Sequence, residues 1–353
     1  MGARSIPPPP PVVRRALAPL WPLVAVAITG LMVPVVVAGA FHALVDRRAR
    51  LFRVACLAVL LLWVDIRMLV RCWTLGAGRR DTASPQWRAA HEELLSDALD
   101  SLMYYTRRWL GLEVELTDRM HFGTEDHALL ALARHAGPFD SLAVAWLLAR
   151  TAGRLPRIVL AEALRWDPGV DTILTRLDSF FVPSAGDDRL AGVRGMAASL
   201  EPADVLLIFP EGQNWTPSRR AHLIERLRRR GDHRRADRAE ELVNVLPPKT
   251  RGAWAARQAR PDADVMVVAH AGFGHLSTLR SIWAAIPFRG RPFLVRTWTW
   301  RSADVPDDPV VFAAWLDERW GEVDAWVTAH TTPEGIPELA DPARRPGSGT
   351  STR

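Results

Sequence analysis

The stretch LLALARHAGPFDSLAV, residues 129–144, places His135 five residues before Asp140 across a Gly-Pro break. Imidazole and carboxylate together can make a general base. A carboxylate that holds Nδ1–H fixes the tautomer and stabilises the imidazolium, leaving Nε2 to take a proton from a hydroxyl. The same two residues also suit plain structure, with Asp140 capping the helix that DSLAVAWLLAR starts and His135 merely ending a strand. Spacing alone decides little, because His121 and Asp126 repeat it in HFGTED. His135 differs in context: it closes an apolar run, and Gly137-Pro138 can fold Asp140 back toward the ring. No nearby Ser, Cys or Thr is clearly placed as a nucleophile, so the attacking oxygen in this chemistry belongs to a substrate.

Two further stretches carry residues suited to a ligand. In DVLLIFPEGQNWTPSRR, residues 204–220, a buried strand ends at Phe-Pro, and Glu211-Gly212 follow where open α/β sheets place their ligand sites. Gly212 lets backbone approach a ligand closely, although a Pro-Gly turn with a solvated Glu is the simpler alternative. In NVLPPKTRG, residues 244–252, two prolines stiffen the loop before Lys249, a cation suited to phosphate.

The order and spacing of these stretches resemble the motif blocks of the glycerolipid acyltransferases, especially the 1-acylglycerol-3-phosphate acyltransferases. His135 to Asp140 resembles the HxxxxD block, Phe209 to Gly212 the third block, and VLPPKTRG the fourth; NWTPSRR looks like the continuation of one branch, with Trp215 at its aromatic position. The resemblance covers roughly residues 120–280. It implies transfer of a fatty acyl group from acyl-CoA or acyl-carrier protein to the free hydroxyl of 1-acylglycerol 3-phosphate, another lysophospholipid, a glycolipid or glycerol 3-phosphate. A non-catalytic lipid-binding protein on the same fold is the alternative of another class. In the catalytic reading His135 is the base, Asp140 orients it, and neither a cofactor, a metal nor a covalent intermediate is needed. Backbone N–H groups near the turn are candidates to stabilise the oxyanion. Glu211, Gly212 and Gln213 inherit substrate binding, with Glu211 better suited to a hydroxyl or a cation than to phosphate. One block departs from the pattern: DSFFVPS has Ser184 where the family has a phosphate-binding Arg, so Arg176, Arg189 or Lys249 is expected to supply that charge.

The elements that must position these residues are an alternation of short strands and helices. Residues 110–117, 127–133, 157–162, 179–183, 204–210 and 264–271 read as strands, and 86–109 as an amphipathic helix. The expected fold class is α/β, a mixed, largely parallel sheet flanked by helices, with an N-terminal membrane-embedded helical hairpin. Residues 1–15 read as a disordered basic Pro-rich leader, 16–80 as the membrane-embedded or interfacial segment, 81–340 as the acyltransferase domain and 341–353 as a disordered tail.

Residues 16–45 carry no formal charge and would reach roughly 45 Å as a helix, more than the ~30 Å hydrocarbon core. Pro19, Pro22 and Pro34 argue for kinked or re-entrant geometry rather than one straight helix. The apolar stretch 54–64 is too short to span and reads as interfacial, with Trp63 and Trp73 as anchors. Arginines flank both stretches, which favours a hairpin returning to one side, with the catalytic domain facing the cytoplasm where acyl donors are found. An uncleaved anchor fits better than a signal peptide because the apolar region is too long.

Composition is globular, at 24% charged and 48% hydrophobic. Of the 45 basic residues only Lys249 is Lys, and the net charge of +6 suits an anionic membrane or a phosphate-bearing substrate. Nine arginines fall between Arg219 and Arg238, either a solvated helix with Leu223, Ile224 and Leu227 inward or a cradle for lipid or CoA phosphates; nucleic acid is not indicated. Cys56 and Cys72 form neither a disulfide framework nor a metal motif.

Overall fold

The apolar runs become one seven-stranded sheet of order β1-β7-β6-β2-β5-β3-β4. In chain order the strands are β1 (Val114–Leu116), β2 (Leu129–Ala133), β3 (Pro156–Ala161), β4 (Phe180–Val182), β5 (Val205–Ile208), β6 (Asp264–Ala271) and β7 (Phe293–Trp300). Every neighbouring pair is parallel except β6 with β7, so the sheet is mixed and largely parallel, as the alternation of elements requires. The computed structural model describes residues 7–77, 82, 84–118, 126–137, 139–182, 188–272, 274, 276 and 278–331. The expected tail, Ser184 and His121 lie outside these.

The helices are α1 (Pro11–His42), α2 (Arg50–Gly76), α3 (Pro85–Leu110), α4 (Asp140–Ala152), α5 (Pro168–Arg176), α6 (Asp188–Ala198), α7 (Pro217–Arg229), α8 (His233–Glu241), α9 (Thr250–Ala259), α10 (Leu279–Ala285) and α11 (Pro309–Ala329). All five residues of β2 are buried, because it lies between β5 and β6 and is covered on both faces. Leu129, Ala131 and Ala133 pack with α3 and α4 on one face, and Leu130 and Leu132 with α6, α9 and α11 on the other. From β2 the chain builds β3 to β5 on one side and then crosses to β6 and β7 on the other. That reversal opens a crevice at the carboxyl end of β2.

Six strands match the expected segments, with β3 starting one residue early at Pro156, and β7 is the one that the sequence reading missed. FLVRTWTW interrupts its apolar residues with Arg296, but Thr297 to Trp300 alternates with a period of two, the signal of a strand half-buried on one face.

The N-terminal region differs from expectation in three respects. Helix α1 starts at Pro11, inside the stretch assigned to the leader, because proline suits the first helical turn, where its missing N–H costs nothing. It then runs unbroken through Pro19, Pro22 and Pro34: proline removes individual helical hydrogen bonds, but its fixed φ is a helical one. Finally, α2 is a 27-residue helix rather than an eleven-residue interfacial segment. It buries Leu57, Ile66, Met68, Leu69 and Cys72, packing with α3 and α5, so one face of this stretch is docked on the domain.

The two helices form the expected hairpin, and Gly39 permits their contact. A Cβ there would lie 2.9 Å from the Phe52 backbone. Trp63 and Trp21 then bridge the pair, through Thr29 Oγ1 at 3.1 Å and Asp65 Oδ2 at 2.7 Å. The arginine run forms α7 and α8, which fold on one another around Leu223, Ile224, Leu227, Ala236 and Ala239. Arg228 and Arg238 meet Asp237, Glu240, Glu241 and Asp317, which is the behaviour of a solvated ion-pairing surface.

Candidate active site

The site begins where β2 stops. Arg134 N–H still donates to the Val268 carbonyl at 3.0 Å, extending the ladder by one residue, and the chain then turns away at His135. His135 Nδ1 lies 3.1 Å from Asp140 Oδ2 and 3.3 Å from Oδ1. The capping alternative fails on geometry, because Phe139 occupies the N-cap of α4 and Asp140 sits in its first turn with the carboxylate directed back at the strand exit. There Oδ2 accepts from the N–H groups of Ala136 at 2.5 Å and Gly137 at 2.9 Å, and Oδ1 accepts from Ser141 at 2.9 Å.

Burial pushes the Asp140 carboxyl up, but the His135 hydrogen bond, the neighbouring imidazoles and the turn N–H groups outweigh it and hold the group below the ordinary carboxylate range. The side chain of Asp140 is wholly buried and that of His135 is 20% exposed. The ring, tilted against Phe209 with centroids 4.7 Å apart, is anchored through Nδ1, which leaves Nε2 as the nitrogen able to take a proton. The N–H groups of Ala136 and Gly137 are thus both engaged by Asp140.

A second layer holds this pair, and it changes the meaning of Glu211. That carboxylate is 1% exposed, with Oε1 accepting from His135 N–H and Oε2 from Leu246 N–H, both at 2.9 Å. Its two oxygens tie the three motif stretches together, so Glu211 is a brace and not, as expected, a substrate contact. Burial pushes it up to about 7, against Arg134 and the two N–H donors, which favour the anion.

Arg134, only 1% exposed, is a site residue that sequence reasoning missed. Its guanidinium donates to the Asn244 carbonyl from Nε at 3.1 Å and Nη2 at 2.7 Å, and to the His270 carbonyl at 2.6 Å. His270, near the end of β6, is the other missed residue, with Nε2 2.9 Å from the Arg134 carbonyl and 3.5 Å from Asp140 Oδ2. In DVMVVAHA a lone histidine among apolar residues gave no sign of a partner, since that partner is 130 residues away in sequence.

The remaining candidates divide. Gly212, at φ 68°, adopts the left-handed backbone that favours glycine, and a Cβ on it would lie 2.6 Å from Lys249 Nζ, so the lysine lies directly against the EG turn. Lys249 N–H also bonds the Pro210 carbonyl at 2.8 Å. Gln213 is half-buried beside them, and Trp215 N–H donates to the His135 carbonyl at 2.6 Å. Arg176 is a correction: it closes α5 against α2 and α3, bonding the Cys72 carbonyl at 2.5 Å and His91 Nε2 at 2.9 Å and lying over Trp87, so it is structural. Arg189 falls in the first turn of α6, and its side chain lies outside the described residues.

Residues 113–271 match the family model described as Acyltransferase. No curated protein sequence matches the chain. Among solved structures, the chain is similar to the 1-acyl-sn-glycerophosphate (LPA) acyltransferase PlsC from Thermotoga maritima, with 14% identity over 84% of this chain and 97% of that one and a TM-score of 0.49.

Proposed function

We propose that the chain moves a fatty acyl group from an acyl thioester to the free hydroxyl of 1-acylglycerol 3-phosphate, with His135 as the base, a reading supported by the match of residues 113–271 to the Acyltransferase family model. The observation that carries this reading is the His135–Asp140 pair at the carboxyl end of the central strand, with its carboxylate buried and its imidazole engaged through Nδ1 and partly exposed. The acceptor O–H proton passes to Nε2 as the oxygen attacks the thioester carbonyl. When the C–S bond breaks, the sulfur leaves as a thiol carrying that proton, and the new ester is the product. Asp140 stays ionised throughout and stabilises the transient imidazolium.

Lys249 is the cation for the acceptor phosphate. It is the one of the three expected cations whose side chain is described against the EG turn, where its ammonium gives a compact point charge at the site. A panel of 1-acylglycerol 3-phosphate, other lysophospholipids and glycerol 3-phosphate, supplied with labelled acyl-CoA or acyl-carrier protein, tests both parts. Transfer to the lysophosphatidate is expected, and Lys249→Gln should raise its KM about tenfold or more while leaving KM for a phosphate-free acceptor in place. Transfer to none of the acceptors would sink the enzymatic reading.

The hairpin is the element that brings the enzyme to its acceptor. Helix α1 is long and apolar enough to cross a membrane, and its outward face exposes Leu20, Leu23, Leu31 and Phe41. Yet both ends are tied to the same body. Trp166 Nε1 bonds the Pro7 carbonyl at 2.9 Å and Arg14 pairs with Asp171 at 3.1 Å, while beyond the other end Arg48 bonds the Ala284 carbonyl at 3.1 Å. A helix crossing ~30 Å of hydrocarbon would carry its ends to opposite sides. In our reading α1 therefore lies along one leaflet, with the domain on the cytoplasmic side. In sealed vesicles, protease should reach tags on both sides of α1 from the same face, and opposite-face cleavage would overturn that placement.

A further inference from the structure

Asp140 meets two imidazoles. His135 reaches it through Nδ1, and His270 faces the same carboxylate from β6, with Nε2 3.5 Å from Oδ2. His270 has no exposure, its ring stacks on Phe293 at 4.8 Å, and Nδ1 has no hydrogen-bond partner among the described residues.

These contacts fix the tautomer. A proton on Nε2 satisfies the Arg134 carbonyl at 2.9 Å and puts the N–H dipole 3.5 Å from Asp140 Oδ2, leaving only a lone pair at Nδ1. A proton on Nδ1 would instead be a buried donor without an acceptor, with the Nε2 lone pair set against a carbonyl and a carboxylate. Burial and the adjacent Arg134 guanidinium oppose a second proton, and burial pushes the group down to about 4 in spite of Asp140. Burial and the Arg134 carbonyl thus favour His270 as a neutral Nε2–H donor beside Asp140.

The chemistry gives such a donor a use. A base must be unprotonated before it can act, and a buried carboxylate with no other partner would hold a proton on its imidazole. Each hydrogen bond that Asp140 accepts elsewhere weakens that hold. Ala136, Gly137 and Ser141 supply three from the backbone. We propose that His270 is a positioning residue for the transfer reaction, its neutral Nε2–H dipole beside Oδ2 sharing the charge of Asp140 and so setting how firmly that carboxylate holds the His135 imidazole. The inference rests on the reading of His135 as that base.

The charged and titratable groups facing the pair are His270, Arg134 and Glu211, and the last also titrates near neutrality. The decisive readout must therefore resolve His135 individually. Histidine-labelled full-length protein in nanodiscs gives its titration by NMR for wild type, His270→Phe and His270→Gln. His270→Phe is expected to raise the His135 pKa by about half a unit or more and to move the acid limb of kcat/KM equally, so that activity recovers at higher pH. His270→Gln, which retains a side-chain N–H, should stay closer to wild type.

An unmoved His135 titration in His270→Phe, or an activity loss equal at every pH, would overturn the proposal and leave His270 a packing residue. If His270→Phe does not fold, the ring nitrogen shifts of the wild type decide. The neutral Nε2–H form between about pH 5 and 8 is the required result, whereas an Nδ1–H form or a titration inside that window excludes it. Absence of acyl transfer in wild type would sink the role of His135, and the NMR titration would still report whether His270 acts on it.

Discussion

His135→Ala is expected to lower kcat/KM for acyl transfer by about a thousandfold, ~4 kcal/mol of transition-state stabilisation, with little change in stability. The separation of effects follows from which atoms do what. The imidazole is lost, and with it the only ring nitrogen presented to a substrate. The backbone of residue 135 keeps its N–H bond to Glu211 and its carbonyl bond to Trp215, so the junction of the motif stretches survives. Asp140 also retains three N–H donors. Thermal unfolding of the variant should agree with wild type to within about 1 kcal/mol, as expected for a partly exposed side chain whose backbone role is preserved. Turnover within a few-fold of wild type in a folded variant would remove His135 from the mechanism.

Asp140→Ala should fail in both respects. Catalysis loses the group that holds the imidazole in its reactive tautomer, a loss of about 10²- to 10⁴-fold. Folding loses the acceptor that closes the turn after β2, stranding the N–H groups of Ala136 and Gly137 in a buried site and removing one of the carboxylates near the buried Arg134 guanidinium. Removing one member of such a buried arrangement costs about 3–5 kcal/mol. Asp140→Asn should fall between, because its one oxygen can accept but its amide group meets donors. Measuring unfolding alongside turnover separates the two residues. A fully stable, inactive Asp140→Ala protein would show that the turn does not depend on the carboxylate.

The pairing of His135 with Asp140 was legible because its signals are local. An apolar run long enough for a buried strand, a Gly-Pro break and an Asp at the head of an amphipathic run all lie within 129–144. Local chemistry also located the EG turn and Lys249, since a glycine after a strand end and a cation after two prolines have short-range causes. The α/β class followed from alternation, which strands and helices impose on the sequence before they meet.

The sequence by itself determined the strand-end histidine, its aspartate, the largely parallel sheet and an apolar helix near the N-terminus. Only the tertiary structure decided which charges serve the ligand and which serve the fold. Arg176 reads as a free cation in sequence, but three packed helices turn it into a clasp, and Glu211 reads as a ligand contact until both its oxygens are met by backbone from distant loops. Arg134 and His270 joined the site only when β2 and β6 paired, and α2 found its packing partners only when α3 and α5 offered it an apolar face. The reason is common to all of them: a polar group's role is set by the partners that remain after burial, and those partners come from anywhere in the chain.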